Sequence, residues 1–68
     1  MNDSIQLNGQ AHAVQCPLSV SALLASLGFD GIPVVVELDE QAVFPRDYAS
    51  VLVKFGSRVE IVTLAAGG

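Results

Sequence analysis

Only one stretch of this chain carries the apolar spacing of a helix, and that limits what the other residues can build. Val20, Leu23, Leu24 and Leu27 fall at i, i+3, i+4 and i+7, which lines one face of an α-helix. Ser19 precedes them and can N-cap by accepting from backbone N–H groups two or three residues on. Gly28 follows, where a left-handed residue terminates a helix. Burying four such side chains contributes about 1.5–3 kcal/mol each before entropy costs. One short helix covers one face of one sheet, so the rest of the fold must be strands laid against it.

The strand signals agree with that demand. Ile5-Gln6-Leu7 alternates apolar and polar residues, as a half-buried strand does. Asn8-Gly9 comes next, a strong hairpin signal because both residues tolerate positive φ. A second strand is expected through residues 11–16, with Val14, His12 and Cys16 as candidates for one face, and Pro17 ends it. Residues 28–33 read as a loop. Val34-Val35-Val36-Glu37-Leu38 is β-branched and continuous enough for a central strand. Asp39-Glu40 suits a tight turn, residues 41–44 a short strand, and Pro45 breaks it. Residues 47–53 read as irregular or briefly helical, and Gly56-Ser57 as a turn. Residues 59–64 form a last strand. The expected order is β-β-α-β-(β)-β, an α+β fold with a mixed four- to five-stranded sheet and one main helix across it.

Composition narrows the function. Three basic residues against seven acidic ones give a net charge of −4, which cannot build the cationic face a nucleic-acid backbone requires. With 51% hydrophobic residues the chain is too apolar to stay disordered. It has no run of roughly 18 apolar residues for a membrane span. One cysteine allows no internal disulfide, and Met1-Asn2-Asp3-Ser4 has no secretory pattern, so a cytoplasmic chain is expected. At 68 residues a core rarely supplies more than about 3–5 kcal/mol. Little chain is left over for a catalytic cleft, and the expectation is not an enzyme.

The side chains that could carry chemistry have plainer readings. Cys16, between Gln15 and Pro17, has no neighbour to lower its pKa and reads as a small buried hydrophobe rather than a nucleophile. His12 is the only histidine, so a Cys/His zinc site lacks ligands. Asp39 and Glu40 are adjacent and read as turn solvation rather than an acid/base pair. Lys54-Phe55-Gly56-Ser57 lacks the glycine loop of a phosphate-binding motif. Arg46 can pair with an acid of a partner, or with Asp47 or Glu37 on its own surface.

The last strand and the residues after it are more telling. Strand periodicity puts Val59 and Ile61 on one face and Glu60, Val62 and Leu64 on the other. With one helix to spend, the second face is uncovered, so Val62 and Leu64 read as a docking patch. The chain then reads Ala65-Ala66-Gly67-Gly68. Four extended residues span roughly 13–14 Å, enough to thread a carboxylate into another protein's site. Glycines fit a narrow channel because they lack Cβ. The expected organisation is a domain over residues 1–64 and a flexible tail over 65–68.

These features together resemble the ubiquitin-like β-grasp fold: hairpin, capped helix, central strand, and a last strand leading to Gly67-Gly68. Within it, the short length and Val43-Phe44-Pro45-Arg46, ahead of Gly56, resemble the sulfur carriers of thiamine biosynthesis, the ThiS family. Phe44-Pro45-Arg46 matches that family's V-P-R-like motif, whereas its D-G-D turn survives only as Gly56 within Phe55-Gly56-Ser57. The resemblance spans Ile5 to Gly68. It implies that a ThiF-like, ATP-dependent adenylating enzyme activates the Gly68 carboxylate. A persulfide donor would then convert it to a thiocarboxylate, and a ThiG-like thiazole synthase would take the sulfur. It further implies Ala65, Ala66 and Gly67 as the tail, Val62, Leu64, Phe44 and Arg46 as partner-facing residues, and no cofactor. The small subunit of molybdopterin synthase, a carrier for another sulfur metabolite, and a non-catalytic β-grasp binding module are the alternatives.

Overall fold

In the computed structural model, residues 3–64 are described; the expected tail, Ala65, Ala66, Gly67 and Gly68, lies outside the described residues. Strand β1 (Ser4–Leu7) turns through Asn8-Gly9 into β2 (Gln10–Ala13), and the two pair antiparallel. Asn8 and Gly9 have φ of 50° and 83°, the pair of left-handed residues that lets a two-residue loop follow the sheet twist. A two-residue strand β3 (Leu18–Ser19) leads into helix α1 (Val20–Ser26). The chain returns through β4 (Val34–Leu38), β5 (Gln41–Val43) and a 3₁₀ turn at Pro45–Asp47. It ends with β6 (Leu52–Val53) and β7 (Arg58–Thr63).

The five long strands form one mixed sheet in the order β2-β1-β7-β4-β5, and β3 and β6 pair separately. Only β1 and β7 run parallel, so the last strand is the middle one. The helix packs over one face. Ile5, Val20, Leu23, Leu24, Val36, Val53, Val59 and Ile61 make the core, and the helix stripe is buried except at half-buried Leu27. Ser19 Oγ accepts from the Ala22 N–H at 2.9 Å, capping the helix as its sequence predicts. The Val20 and Ser21 N–H groups donate to the carbonyls of Val51 and Tyr48 at 3.0 and 2.9 Å. The segment before β6 thus satisfies donors that a helix start leaves open.

Two expectations need correction. The second strand ends at Ala13, not residue 16: the ladder with β1 closes at Ser4↔Ala13, and past it the Val14 N–H still donates to the Asp3 carbonyl at 3.0 Å. Its alternation persists all the same, with His12, Val14 and Cys16 half-buried. Residues 47–53 are not merely irregular: Leu52–Val53 pairs with Leu18–Ser19, and two-residue strands carry no period to read. β4 is an interior strand, as expected, lying between β7 and β5. Val36 is buried while Val35 is 44% exposed, so its apolar run reflects β propensity as well as burial.

The β4–β5 turn is held unusually. Asp39 and Glu40 both have positive φ, 49° and 70°, a region that costs a side-chain-bearing residue roughly 1–2 kcal/mol. Asp39 compensates by accepting from the Arg58 N–H at 2.8 Å, while Glu40 takes only an exposed ion pair with Arg58 at 3.1 Å. Glu40→Gly and Glu40→Ala both remove that ion pair, so their difference isolates the backbone. The glycine variant is expected to be more stable by about 1 kcal/mol, read from denaturant midpoints. Ser19→Ala is expected to cost about 1 kcal/mol, or a Tm drop of about 4–8 °C in a domain this small.

Candidate functional site

Whatever follows Leu64 leaves from β7, so the site begins with how that strand is held. On one side β4 pairs with it along its length, from Leu38↔Val59 to Val34↔Thr63. On the other side β1 pairs only at Gln6↔Arg58 and Leu7↔Val59 before the hairpin turns away. The Asn8 side chain fills the place β1 vacates. Its Oδ1 accepts from the Ile61 N–H at 2.8 Å and its Nδ2 donates to the Ile61 carbonyl at 3.2 Å. The Asn8 N–H also donates to the Val59 carbonyl at 2.9 Å. The carboxamide therefore acts as one further peptide group of β1. Beyond the strand, the Leu64 N–H donates to the Pro33 carbonyl at 3.1 Å, which anchors the last described residue.

Two surfaces flank this anchored end. On the open face of the sheet, Val35 and Val62 are direct cross-strand partners and are 44% and 59% exposed. Next along the same two strands, Glu37 stands opposite Glu60. The second surface is a groove of about 430 Å³ bordered by Leu24, Phe29, Val34, Pro45, Tyr48 and Leu64, among others. Val62 lies on the face that strand periodicity gives it. Leu64 shares that face only by count along the chain, because β7 ends at Thr63 and Leu64 borders the groove.

The residues around Pro45 are brought to the same end of the molecule. Phe44 is exposed, and the Arg46 guanidinium carbon lies 5.3 Å from its ring centroid. Arg46 also reaches Asp47, at 3.9 Å, with its side chain 80% exposed; a contact so exposed adds little stability and leaves the cation open to solvent.

The remaining candidates are not assembled into a site. Cys16 is a free, half-buried thiol whose Sγ lies 3.5 Å from the Val14 carbonyl. Burial pushes its pKa up and the Asp3 charge adds to this, so the thiol form is favoured over the nucleophilic thiolate. His12 is paired across from Ile5 at the sheet edge. Among the described residues no three His, Cys, Asp or Glu side chains converge as a metal site. Asp39 and Glu40 are both committed to Arg58. The feature that reasoning from the sequence missed is Asn8, which reads as a turn residue and nothing more until β7 is seen beside it.

Comparisons with known proteins agree with this geometry. The ThiS family model matches residues 5–68. A thiazole synthase of Paramagnetospirillum magneticum is 37% identical over 62 residues, covering 91% of this chain and 19% of that protein. The chain thus spans about a fifth of the length of that relative. The uncharacterized protein ycf40 of Porphyra purpurea is 33% identical over 67 residues, covering 98% of this chain and 94% of that one. Among solved structures, the thiamine biosynthesis protein ThiS of Geobacter metallireducens superposes with a TM-score of 0.81 at 28% identity. That match covers 96% of this chain and 99% of the other, and it places the ubiquitin-like β-grasp fold beyond the sequence pattern alone.

The Asn8 clamp has a measurable consequence. Asn8→Gly keeps the positive φ of the turn but deletes both contacts to Ile61. It is expected to cost about 1–2 kcal/mol, seen as a lower denaturant midpoint, and to speed hydrogen exchange at the Ile61 amide. An unchanged Ile61 exchange rate would show that the carboxamide does not hold the strand.

Proposed function

The chain belongs to the ThiS family, the sulfur carriers of thiamine biosynthesis, and we propose that its Gly68 carboxylate is the group that carries the sulfur. The observation that supports this most is the extent of the family match, which runs from the first strand through Gly67 and Gly68. The strand that leads toward those glycines is held by β4 as far as Thr63 and by β1 and Asn8 as far as Ile61, and the Leu64 N–H donates to the Pro33 carbonyl.

In this reading the carboxylate attacks the α-phosphorus of ATP within a ThiF-like adenylating enzyme, forming an acyl-adenylate and releasing pyrophosphate. The sulfur of a persulfide then attacks the acyl carbon, and AMP leaves. A thiol cleaves the resulting S–S bond, which leaves the thiocarboxylate and a disulfide. The thiocarboxylate sulfur is a soft nucleophile that a ThiG-like thiazole synthase would take into the thiazole ring. The carrier contributes no acid, base or metal to these steps. It acts as a protein co-substrate in the cytoplasm, and its own parts are the reach of Ala65-Ala66-Gly67 and the surface around Val62, Leu64, Phe44 and Arg46. The likeness to part of a thiazole synthase favours thiazole formation over the role of a molybdopterin synthase small subunit.

The test is intact mass with fragmentation after incubation with the cognate adenylating enzyme, ATP and a persulfide source. The expected product gains the mass of an oxygen-to-sulfur exchange located at Gly68, and fragmentation separates it from oxidation at Met1 or Cys16. A variant lacking Gly67 and Gly68 is expected to remain unmodified. If the cognate enzyme leaves Gly68 untouched, the carrier reading fails and the non-catalytic binding module takes its place.

A further inference from the structure

The Asn8-Gly9 turn combines two roles that conflict chemically. In water, the backbone nitrogen after an asparagine can attack the side-chain amide carbon, and a glycine there leaves the approach open because it has no Cβ. Asn8 and Gly9 are both exposed, and nothing lies within 4 Å of the position a Gly9 Cβ would take. The chain's other asparagine, Asn2, is followed by Asp3, whose side chain hinders the same attack. Yet the Asn8 carboxamide is also the group that holds Ile61, with Oδ1 accepting at 2.8 Å and Nδ2 donating at 3.2 Å. Attack needs the Gly9 nitrogen over the face of the carboxamide and the side-chain nitrogen free to leave. The two bonds hold the carboxamide as a peptide group of β1 would be held, and they engage that nitrogen. The attack has to wait until the clamp opens.

We infer that Asn8 is a site of spontaneous deamidation that the clamp suppresses, and that the modified residue cannot close the clamp again. The Gly9 nitrogen loses its proton to solvent and forms a C–N bond to Asn8 Cγ. The Cγ–Nδ2 bond breaks, and ammonia leaves with a proton from solvent. Water then opens the cyclic imide at either carbonyl, giving an aspartate or an isoaspartate at position 8. The net change consumes water, releases ammonia and needs no oxidant or reductant. An aspartate here is ionised at neutral pH and offers only acceptors. It can take the Ile61 N–H, but it sets an unpaired oxygen against the Ile61 carbonyl. An isoaspartate adds a carbon to the main chain, so the two-residue loop no longer fits the β1–β2 register. Either product frees β7 at Ile61 on the β1 side, while β4 still pairs with it as far as Thr63. The turn therefore ages in one direction and loosens the strand that leads to Leu64. The inference stands apart from the carrier reading.

The experiment incubates the full chain at mildly alkaline pH, folded and in denaturant, and follows residue 8 by peptide mapping with mass spectrometry. The denatured chain is expected to gain the mass of an amide-to-acid exchange at Asn8 well before Asn2. The folded chain is expected to do so about 5- to 30-fold more slowly, the factor that corresponds to a contact of this size. At low denaturant concentrations, the modification rate and hydrogen exchange at the Ile61 amide are expected to rise together, since both need the same local opening. The modified protein, isolated and folded, is expected to exchange its Ile61 amide faster than the original chain, and Asn8→Asp to behave likewise. A denatured chain that stays unmodified at Asn8 overturns the site. Equal rates in the folded and denatured chains, or a modification rate that does not follow Ile61 exchange, overturn the clamp as its shield. Unchanged Ile61 exchange in the modified protein overturns the release of β7.

Discussion

The fold depends on pairing its last strand from both sides. β7 lies between β1, which it meets in parallel, and β4, which it meets antiparallel. A parallel pair cannot be closed by a tight turn and needs a long connection. Here that connection is nearly the whole chain, including the helix that covers the sheet. The pairing of the first and last strands therefore joins the two ends of the described chain across the whole fold. Val59 and Ile61 pack into the core from that middle strand while Glu60 and Val62 stay outside. One strand thus joins the packing of the domain to its exposed surface.

Because β1 is short, the pairing would lapse halfway along β7. The Asn8 carboxamide restores it at Ile61 using a side chain that the hairpin already requires. One residue thereby satisfies two demands, a positive φ in the turn and a donor–acceptor pair for the neighbouring strand. In a domain with only a few kcal/mol to spare, a contact of this kind is a sizeable share of the stability. It acts on the strand that leads to Leu64, the last described residue.

The sequence disclosed most of this where periodicity or turn chemistry was strong. The capped helix, the Asn8-Gly9 hairpin and the inside–outside alternation of the last strand were all legible, because each is written in residues close together in the chain. The β3–β6 pair was not, since two-residue strands have no period and their pairing joins residues 18–19 to residues 52–53. The Glu37–Glu60 opposition was hidden for a similar reason. It depends on register between strands distant in the sequence, and no local pattern announces that two acids will face each other. The likeness to the ThiS family reached the fold and the terminal glycines, but the clamp on Ile61 belongs to three-dimensional pairing alone.

The placement of the only cysteine fits a protein whose proposed chemistry runs through persulfides. A low-pKa thiol on such a carrier would compete with its carboxylate for the sulfur donor and trap the chain in mixed disulfides. Cys16 is arranged against that outcome. Its thiol is half-buried at the end of the alternation that includes His12 and Val14, its Sγ lies near the Val14 carbonyl, and Asp3 adds a negative charge nearby. Burial and that charge both raise its pKa, so at neutral pH the proton stays on and the sulfur behaves as a packing group. The fold thus favours the thiol form of its one cysteine over the thiolate that would compete with the proposed reaction.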